Sequence, residues 1–464
     1  MRSPDKRQTG DFTQGSIPSV VMGMAIPLIA AQLVNVLYNI VDRIYIGHIP
    51  EVGAKALTGV GVALPVITIL SAFAGLFGQG GAPLFSIARG HGDAEQAGRF
   101  MGNSMTLLLS SSVLLAAVVR LISRPVLLSL GAGEGTVGYA LDYLHVYLLG
   151  TPLVFVTLGM NPYVNAQGFA RRGMMTVMLG AAANVLLDPL FIFTFGMGVK
   201  GAALATVLSQ CIGAVWCTAF LCSGKAPQRL RLRYMGLRPR VVGRIVGMGI
   251  ANFMAQGTNS VIQAVANRQL ALFGGELYIG AMTIINALRT AMIQVVHGMT
   301  AGAQPVLGYN YGAGEKKRVL QAIRFTTAVC VGFMLFCWAL MEFLPGPFVR
   351  IFTEETALIE TAVPSVRIYY CGIFLMSLQL MAQSTFQGLG KARQAVFFSF
   401  FRKVVVETPL MLLLPRLWGL GARGVFWAEP VSDLLGGAAA YITMLITVYY
   451  PIRRRLQEES TCAS

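Results

Sequence analysis

An aspartate stands in the middle of the apolar stretch "NVLLDPLFIF", which covers residues 184–193. Asp188 follows Asn184 by four residues, so a helix would place the carboxyl and amide side chains on one face. Pro189 has no backbone N–H, which leaves the carbonyl oxygen of Val185 as a spare acceptor beside the carboxylate. Carboxylate, amide and carbonyl oxygens in an apolar environment can bind a proton or a small hard cation such as Na⁺.

A second carboxylate, Asp42, ends a polar stripe on the first apolar segment. Gln32, Asn35 and Asn39 precede it at helical spacing, and Tyr38 lies one turn before it. A charged side chain at this depth in a bilayer costs about 2.5–3.5 kcal/mol, so the stripe should face protein or water. Burial and a neighbouring carboxylate both favour the protonated form, and two such aspartates could therefore exchange protons near neutral pH.

Each aspartate also has a purely structural interpretation. Asp42 could lie at the membrane interface beside Arg43, and Asp188 could end a helix before the break that a proline causes. The residues around the two aspartates leave both roles open.

The elements that must position these residues are membrane helices. The chain has 464 residues, of which 55% are hydrophobic and 12% charged, whereas soluble domains carry about 25% charged residues. The first apolar segment lacks a small-residue cleavage site, so we expect a retained helix rather than a signal peptide. Twelve segments approach or exceed the ~20 residues of a spanning helix, near 17–46, 56–86, 101–122, 137–165, 174–195, 201–222, 245–272, 278–306, 325–344, 362–386, 395–415 and 425–450.

Basic residues predict the orientation of these helices. With the N-terminus inside, 25 of the 36 Lys and Arg residues fall on the cytoplasmic side, which predicts that both termini are cytoplasmic. The basic segment 223–244 is predicted to be a cytoplasmic linker that meets anionic lipid headgroups rather than nucleic acid. The same asymmetry accounts for the net charge of +16.

An internal repeat divides the chain at this linker. "GMAIPLIAAQLVN" matches "GMGIANFMAQGTN", and "GMGVKGAALATVLS" matches "GLGARGVFWAEPVS", with two shorter matches at offsets of 220–224 residues. We predict an all-α polytopic membrane protein with twelve helices in two six-helix bundles, 1–222 and 245–464, joined by the linker 223–244. Because six is even, a pseudo-twofold axis along the membrane normal should relate the bundles, as in many transporters.

The second half keeps the polar face but loses the carboxylates. Asp42 corresponds to Ala266, whereas Asn184 and Asp188 correspond to Val404 and Thr408. The amides before Ala266 are retained as Gln256, Asn259 and Gln263. The sequence therefore predicts that the first half alone carries the ionisable site.

The sequence leaves open the roles of three other acidic residues in the second half. Glu407 lies about 100° around the helix from Thr408, and it could pair with Arg402 or Lys403. Glu429 and Asp433, four residues apart, could form a second functional site or pair within the second bundle.

The sequence lacks the motifs that are typical of several other activities. The seven cysteines show no CxxC spacing and the four histidines no HExxH, so neither set predicts a metal site. "GQGGAP" is not followed by GK[ST], which excludes a phosphate-binding loop of the ATPase type. We expect no enzymatic activity and no cofactor.

The chain resembles the multidrug and toxic compound extrusion (MATE) transporters, and most of all their MepA-like bacterial branch. The similar motifs are "YNIVDRIYIGH", "NAQGFARRGMM", "NVLLDPLFIFTFGMGVKGAALATVLSQ", "GAQPVLGYNYGAGEKKRV" and "FQGLGKAR". The resemblance implies two bundles around a central cavity and export of organic cations in exchange for H⁺ or Na⁺. It also implies a cation-coupling site, which could bind Na⁺, at Asp42, Asn184, Asp188 and Thr206, with Tyr143 as a further member. Gln256 stands where one branch has a carboxylate, which argues against a second-half site of that type.

We therefore expect a monomeric multidrug antiporter in a bacterial inner or plasma membrane, in contact with lipids and small organic cations. Drug-facing residues are predicted at Asn35, Tyr38, Met160, Gln256, Asn259 and Gln379. A flippase for lipid-linked precursors is the alternative within the fold, and it should line its cavity with basic residues, for which only Arg289 and Arg367 are candidates. An intramembrane enzyme is the alternative from another class, but the chain has no DDxxD motif.

Overall fold

The computed structural model of the chain describes residues 10–417 and 419–462, with the side chains of all of these except Ser260 and Cys462. Across these residues the chain forms α-helices and no β-strand. The helices are α1 (Ile17–Gly47), α2 (Gly53–Gly90), α3 (Ala94–Ser129), α4 (Glu134–Ala166), α5 (Ala170–Pro189), α6 (Gly198–Cys222), α7 (Pro239–Phe273), α8 (Glu276–Gly312), α9 (Lys316–Phe343), α10 (Pro345–Arg350), α11 (Thr356–Tyr370), α12 (Ile373–Gly388), α13 (Ala392–Phe400), α14 (Thr408–Leu413), α15 (Ala422–Ser432), α16 (Ala438–Met444) and α17 (Tyr450–Cys462).

Short π-helical segments interrupt or extend several of these helices. In the described part of the chain they are Leu190–Thr194, Phe401–Glu407, Asp433–Gly437 and Leu445–Tyr449. The first begins directly after Pro189, so the predicted break beside Asp188 takes the form of a wider turn rather than an end of the helix. π-helical turns are rare and are found often at functional sites.

The twelve predicted apolar segments coincide with helical stretches, apart from a two-residue break in 362–386 between α11 and α12, because an apolar stretch in lipid must satisfy its backbone hydrogen bonds internally. Nine helical stretches of the described chain are long and apolar enough to cross a membrane, and α11 with α12, bent by 46°, form a tenth. The other two predicted spans, 245–272 and 395–415, are helical but carry more polar side chains. The all-α class with twelve spanning helices is confirmed, although α3 extends well beyond the predicted 101–122.

The described residues form two compact units. One comprises the residues up to Phe12 together with Ile26–Phe253, and the other comprises Thr13–Ala25 and the chain from Met254 onward. The chain therefore changes unit once before α1 and again inside α1 and α7, and the basic segment 223–244 is part of the first unit.

In the first unit, small residues bring α2 and α4 together. A Cβ atom added to Gly78 would come within 2.5 Å of the Cα atom of Gly159, so only glycine permits this approach. Farther along α4, the hydroxyls of Tyr163 and of Ser104 on α3 lie 2.6 Å apart. This packing holds α4 at the centre of the unit, where it faces the residues of the predicted site.

The Asn103 amide makes several of the hydrogen bonds that hold the basic segment against the rest of the first unit. The Asn103 side chain donates to the carbonyl oxygens of Tyr234 at 3.0 Å and Gly236 at 3.1 Å. Its own oxygen accepts from the backbone N–H of Arg238 at 2.9 Å. Because Asn103 is fully buried, these three bonds replace the water that the amide and the backbone groups lose.

In the second unit, α8 packs against α11 and α12. The Tyr370 hydroxyl donates to the carbonyl oxygen of Ile285 at 2.7 Å, and the Ser384 hydroxyl donates to that of Thr300 at 3.3 Å. These contacts join α8, which carries Arg289, to α11 and α12.

Candidate cation and substrate site

Asn184 and Asp188 lie on the last turns of α5 and are fully buried in the first unit. The Asn184 amide nitrogen donates to a carboxyl oxygen of Asp188 at 3.3 Å and to the hydroxyl oxygen of Thr206 on α6 at 3.5 Å. The Thr206 hydroxyl donates in turn to the carbonyl oxygen of Ala202 at 3.1 Å. The helical spacing seen in the sequence therefore produces a connected set of side chains from two helices.

Asp42 on α1 lies close enough to Asp188 for the two carboxyl groups to interact directly. Tyr38, one turn earlier on α1, lies near both carboxyl groups. Four of the five predicted cation-coupling residues are thus brought together by α1, α5 and α6 within one unit.

Three oxygens of this cluster are buried and have no hydrogen-bond partner among the described residues. They are Oδ1 of Asp42, Oδ1 of Asn184 and Oδ2 of Asp188. Both amide hydrogens of Asn184 are already directed at Asp188 and Thr206, so its oxygen remains available as an acceptor. A buried acceptor without a donor is costly, and a proton or a small cation bound among these oxygens would lower that cost.

Tyr143, the fifth predicted member, lies on α4 beside Thr206 and Asp42. Its ring stacks on that of Tyr147, with centroids 6.4 Å apart. Tyr147 in turn lies near Tyr38, so an aromatic layer covers the carboxyl pair. Sequence reasoning missed Tyr147, although its position one turn after Tyr143 is the signal that would have found it.

The residues predicted to face the drug are divided between the units. Asn35 and Tyr38 are half-buried on α1, whereas Met160 on α4 is fully buried. In the second unit, Gln256 is half-buried and Asn259 exposed on α7, and Gln379 is 5% exposed on α12 with an unpartnered side-chain oxygen.

Elsewhere in the second unit, polar side chains pair among themselves. Gln263 donates to Asn267 and accepts from Asn286, each at 3.1 Å. Over the described residues, no group of three His, Cys, Asp or Glu side chains could hold a metal ion.

The acids Glu407, Glu429 and Asp433 are also paired in the second unit. Glu407 forms an ion pair with Lys403, one of the two partners considered from the sequence, but the pair is buried rather than exposed. The hundred-degree separation between Glu407 and Thr408 assumed a regular helix, and the π-helical segment Phe401–Glu407 does not have that spacing.

Comparison with known proteins agrees with this architecture. The MatE family model matches residues 27–190 and again 252–413, once in each half of the repeat. The multidrug export proteins MepA of Staphylococcus haemolyticus and Staphylococcus aureus are each 23% identical to the chain, over 96% and 97% of both sequences. The crystal structure of MATE in the bent conformation superposes with a TM-score of 0.90 at 22% identity, covering 98% of this chain and 99% of that one.

The family model covers well over half of the chain, and its two matches correspond to the two halves of the internal repeat. The helices that it spans include those that carry the carboxyl pair and its amide partner. The chain therefore belongs to the MatE family of multi-pass membrane transporters.

Proposed function

We propose that the chain is a secondary transporter that exports organic cations across a bacterial plasma membrane in exchange for H⁺ or Na⁺. The observation that carries the proposal is the set of three buried, unpartnered oxygens on Asp42, Asn184 and Asp188. The names of the MepA relatives, which are multidrug export proteins, support the same conclusion.

Asp42 and Asp188 are assigned as the coupling carboxylates. When a proton or Na⁺ neutralises the pair, the buried cluster loses its net charge and stays compatible with an apolar interior. When the coupling ion leaves, the negative charges hydrate the site and attract a cationic drug. Because the two groups interact, their protonation steps belong to the pair rather than to either residue.

Asn184, Thr206 and Tyr143 are assigned as the neutral partners of the pair. The Asn184 oxygen would coordinate the ion, while Thr206 and Tyr143 fix the positions of the amide and the carboxylates. Asn35, Tyr38, Met160, Gln256, Asn259 and Gln379 are assigned to the drug path, the chain to a monomer, and both termini to the cytoplasm.

A flippase for anionic headgroups is less consistent with the basic residues. Arg289 forms an ion pair with Glu429 at 3.0 Å, and the Arg367 side chain donates to the carbonyl oxygen of Glu342 at 3.1 Å. Neither arginine is left without a partner to bind a phosphate.

The test is transport by the purified protein in liposomes. Export of an ethidium-like dye is measured under an imposed pH gradient, an imposed Na⁺ gradient and neither. We expect one of the two gradients to drive the dye against its own concentration gradient. Dye movement that is unaffected by either gradient would contradict the proposal, and transport of a lipid headgroup analogue alone would favour the flippase.

A further inference from the structure

Six charged side chains form a buried ion cluster in the second unit. They come from α8, from the π-helical segment Phe401–Glu407, and from α15 with the π-helical segment after it. Five of them are less than 9% exposed, and the side chain of Arg289 is 19% exposed. The members of this ion cluster are Arg289, Arg402, Lys403, Glu407, Glu429 and Asp433.

Every charge in the ion cluster has an opposite charge in contact. Glu429 Oε1 lies 3.0 Å from Arg289 Nη2 and 3.3 Å from Arg402 Nη1, and Arg402 also binds Asp433. Lys403 Nζ lies 2.8 Å from Glu407 Oε2 and 3.9 Å from Glu429 Oε1. Three basic groups therefore balance three acids.

The ion cluster is built into the packing of its helices. A Cβ atom on Gly436 would come within 2.5 Å of Arg402 Cγ and 2.7 Å of its Cβ. Only a residue without a side chain leaves room for the arginine stem at this point. The backbone at Gly436 is therefore packed so that it accommodates the Arg402 side chain of the ion cluster.

The repeat places this ion cluster on the counterparts of the helices that form the first-unit site. Glu429 lies 223 residues after Thr206, the offset at which "GLGARGVFWAEPVS" repeats "GMGVKGAALATVLS". Glu407 directly precedes Thr408, which lies 220 residues after Asp188. Lys403 therefore lies between acids on the two helices that correspond to α5 and α6.

We propose that the ion cluster is the second copy of the cation site, in which the Lys403 ammonium permanently takes the place of an exchangeable small monovalent cation. Glu407 and Glu429 hold this built-in cation as carboxylates would hold a free ion. The second copy therefore does not exchange ions in the wild-type protein, and it becomes a monovalent-cation site when the ammonium is removed. The comparison with the first-unit site rests on the proposed function, whereas the expected cation binding by the Lys403 variant does not.

The physical reason is the penalty for leaving buried carboxylates without a counter-charge. Glu407 and Glu429 lie close together, and a buried ion that loses its partner must recruit another cation or a proton. The other charged or titratable groups that face this region are Arg402 and Asp433, Arg289 and His297 on α8, and Tyr369 and Tyr370 on α11. The two arginines form their ion pairs with Glu429 and Asp433, whereas Lys403 is the basic group that pairs with Glu407 directly.

The experiment measures thermal unfolding of the purified full chain in which Asp42→Asn and Asp188→Asn have silenced the first-unit site. Midpoints are compared in NaCl and in choline chloride at equal ionic strength and pH 8, because choline is too large for the site. We expect no Na⁺ dependence in this parent. Adding Lys403→Gln should produce a saturable upward shift with Na⁺, and adding Glu407→Gln as well should remove the shift.

Two results would overturn the inference. One is a Na⁺-dependent midpoint in the parent that Glu407→Gln abolishes, because the wild-type ion cluster would then exchange ions. The other is a folded Lys403→Gln variant whose midpoint does not rise with Na⁺. Neither result involves transport, so failure here is distinguishable from failure of the proposed function.

A second variant keeps the test decisive if Lys403→Gln does not fold. In the same parent, Lys403→His supplies a positive charge at pH 5.5 and loses it at pH 8. The midpoint should be independent of Na⁺ at the lower pH and dependent on Na⁺ at the higher one. Absence of this switch would contradict the inference, and Lys403→Arg, which keeps the charge at both values, is the matched control.

Discussion

The polar sites of the two units differ in how their charges are balanced. In the first unit, two carboxyl groups share an amide and a hydroxyl, and three buried oxygens have no partner among the described residues. In the second, three carboxylates face three basic side chains. Under the two proposals above, the duplicated scaffold holds an exchangeable charge in one copy and a fixed charge in the other, according to the number of resident basic groups.

The largest expected effect is at Asp188. Asp188→Asn should reduce gradient-driven export of a cationic dye to the level of empty liposomes, because an amide cannot exchange a proton or supply a negative charge. Folding should persist, since the amide keeps the hydrogen bond with Asn184, and the dye should still bind, more weakly, through the remaining carboxylate of Asp42. Transport and binding are measured on the same purified samples.

The matched control is Asp142→Asn on α4. Asp142 is 45% exposed and lies 3.4 Å from Lys200, outside the carboxyl cluster. This variant should transport at nearly the wild-type rate. Wild-type export by Asp188→Asn would show that the first-unit carboxyl pair does not couple transport.

The second effect is on the stability of the second unit. Arg402→Met removes the cation that bridges two buried acids, and it should lower the free energy of unfolding by about 3–5 kcal/mol. Reversible unfolding in mixed micelles measures the loss. Arg454→Gln, which breaks an exposed pair with Glu458, should change the same quantity by only about 0–1 kcal/mol. Equal losses would mean that burial does not strengthen the ion cluster.

The third effect is the pH dependence of drug binding. Ionised carboxylates attract a cationic drug, and protons compete with it, so affinity should weaken as pH falls, by up to about tenfold per pH unit for each competing proton. Dissociation constants measured from pH 5 to 9 should lose this slope in the Asp42→Asn/Asp188→Asn variant. A flat wild-type profile with no effect of Na⁺ would leave both aspartates as structural groups.

The smallest effect is at Glu407. Per folded molecule, Glu407→Gln should reduce export less than Asp42→Asn does, because Glu407 is already neutralised by Lys403. Initial rates in liposomes, normalised to the amount of folded protein, make the comparison. A loss as large as that of Asp42→Asn would place a coupling group in the second unit and break the contrast between the two sites.

The sequence was sufficient to predict the helices and the core of the candidate site. Long apolar stretches can satisfy their backbone only as helices, and the spacing of Asn184 and Asp188 on α5 determined that their side chains would meet. The sequence also predicted the loss of a carboxylate at Ala266, the second-half counterpart of Asp42. These features depend on local periodicity and on the repeat, which are both properties of the sequence itself.

Other features could not be predicted because they depend on packing between distant segments. The π-helical segment Phe401–Glu407 departs from the regular helix that was assumed in placing Glu407 about 100° from Thr408. The contact of Tyr147 with Tyr38 joins α4 to α1. The inclusion of Thr13–Ala25 in the second unit also depends on distant packing, since a Cβ on Gly302 would lie 2.6 Å from the Cα of Ala25.

The amide of Asn103 has a consequence for the order in which the protein is made. Its three backbone partners lie 131–135 residues later in the chain, so a ribosome must synthesise the whole basic segment before the amide is satisfied. Until then the Asn103 amide on α3 has no hydrogen-bond partner from the basic segment, and the insertion machinery or lipid headgroups must satisfy it. The Asn103 contacts can therefore form only after translation has passed α6, and we expect a chain that ends at residue 222 to leave this amide without its three partners.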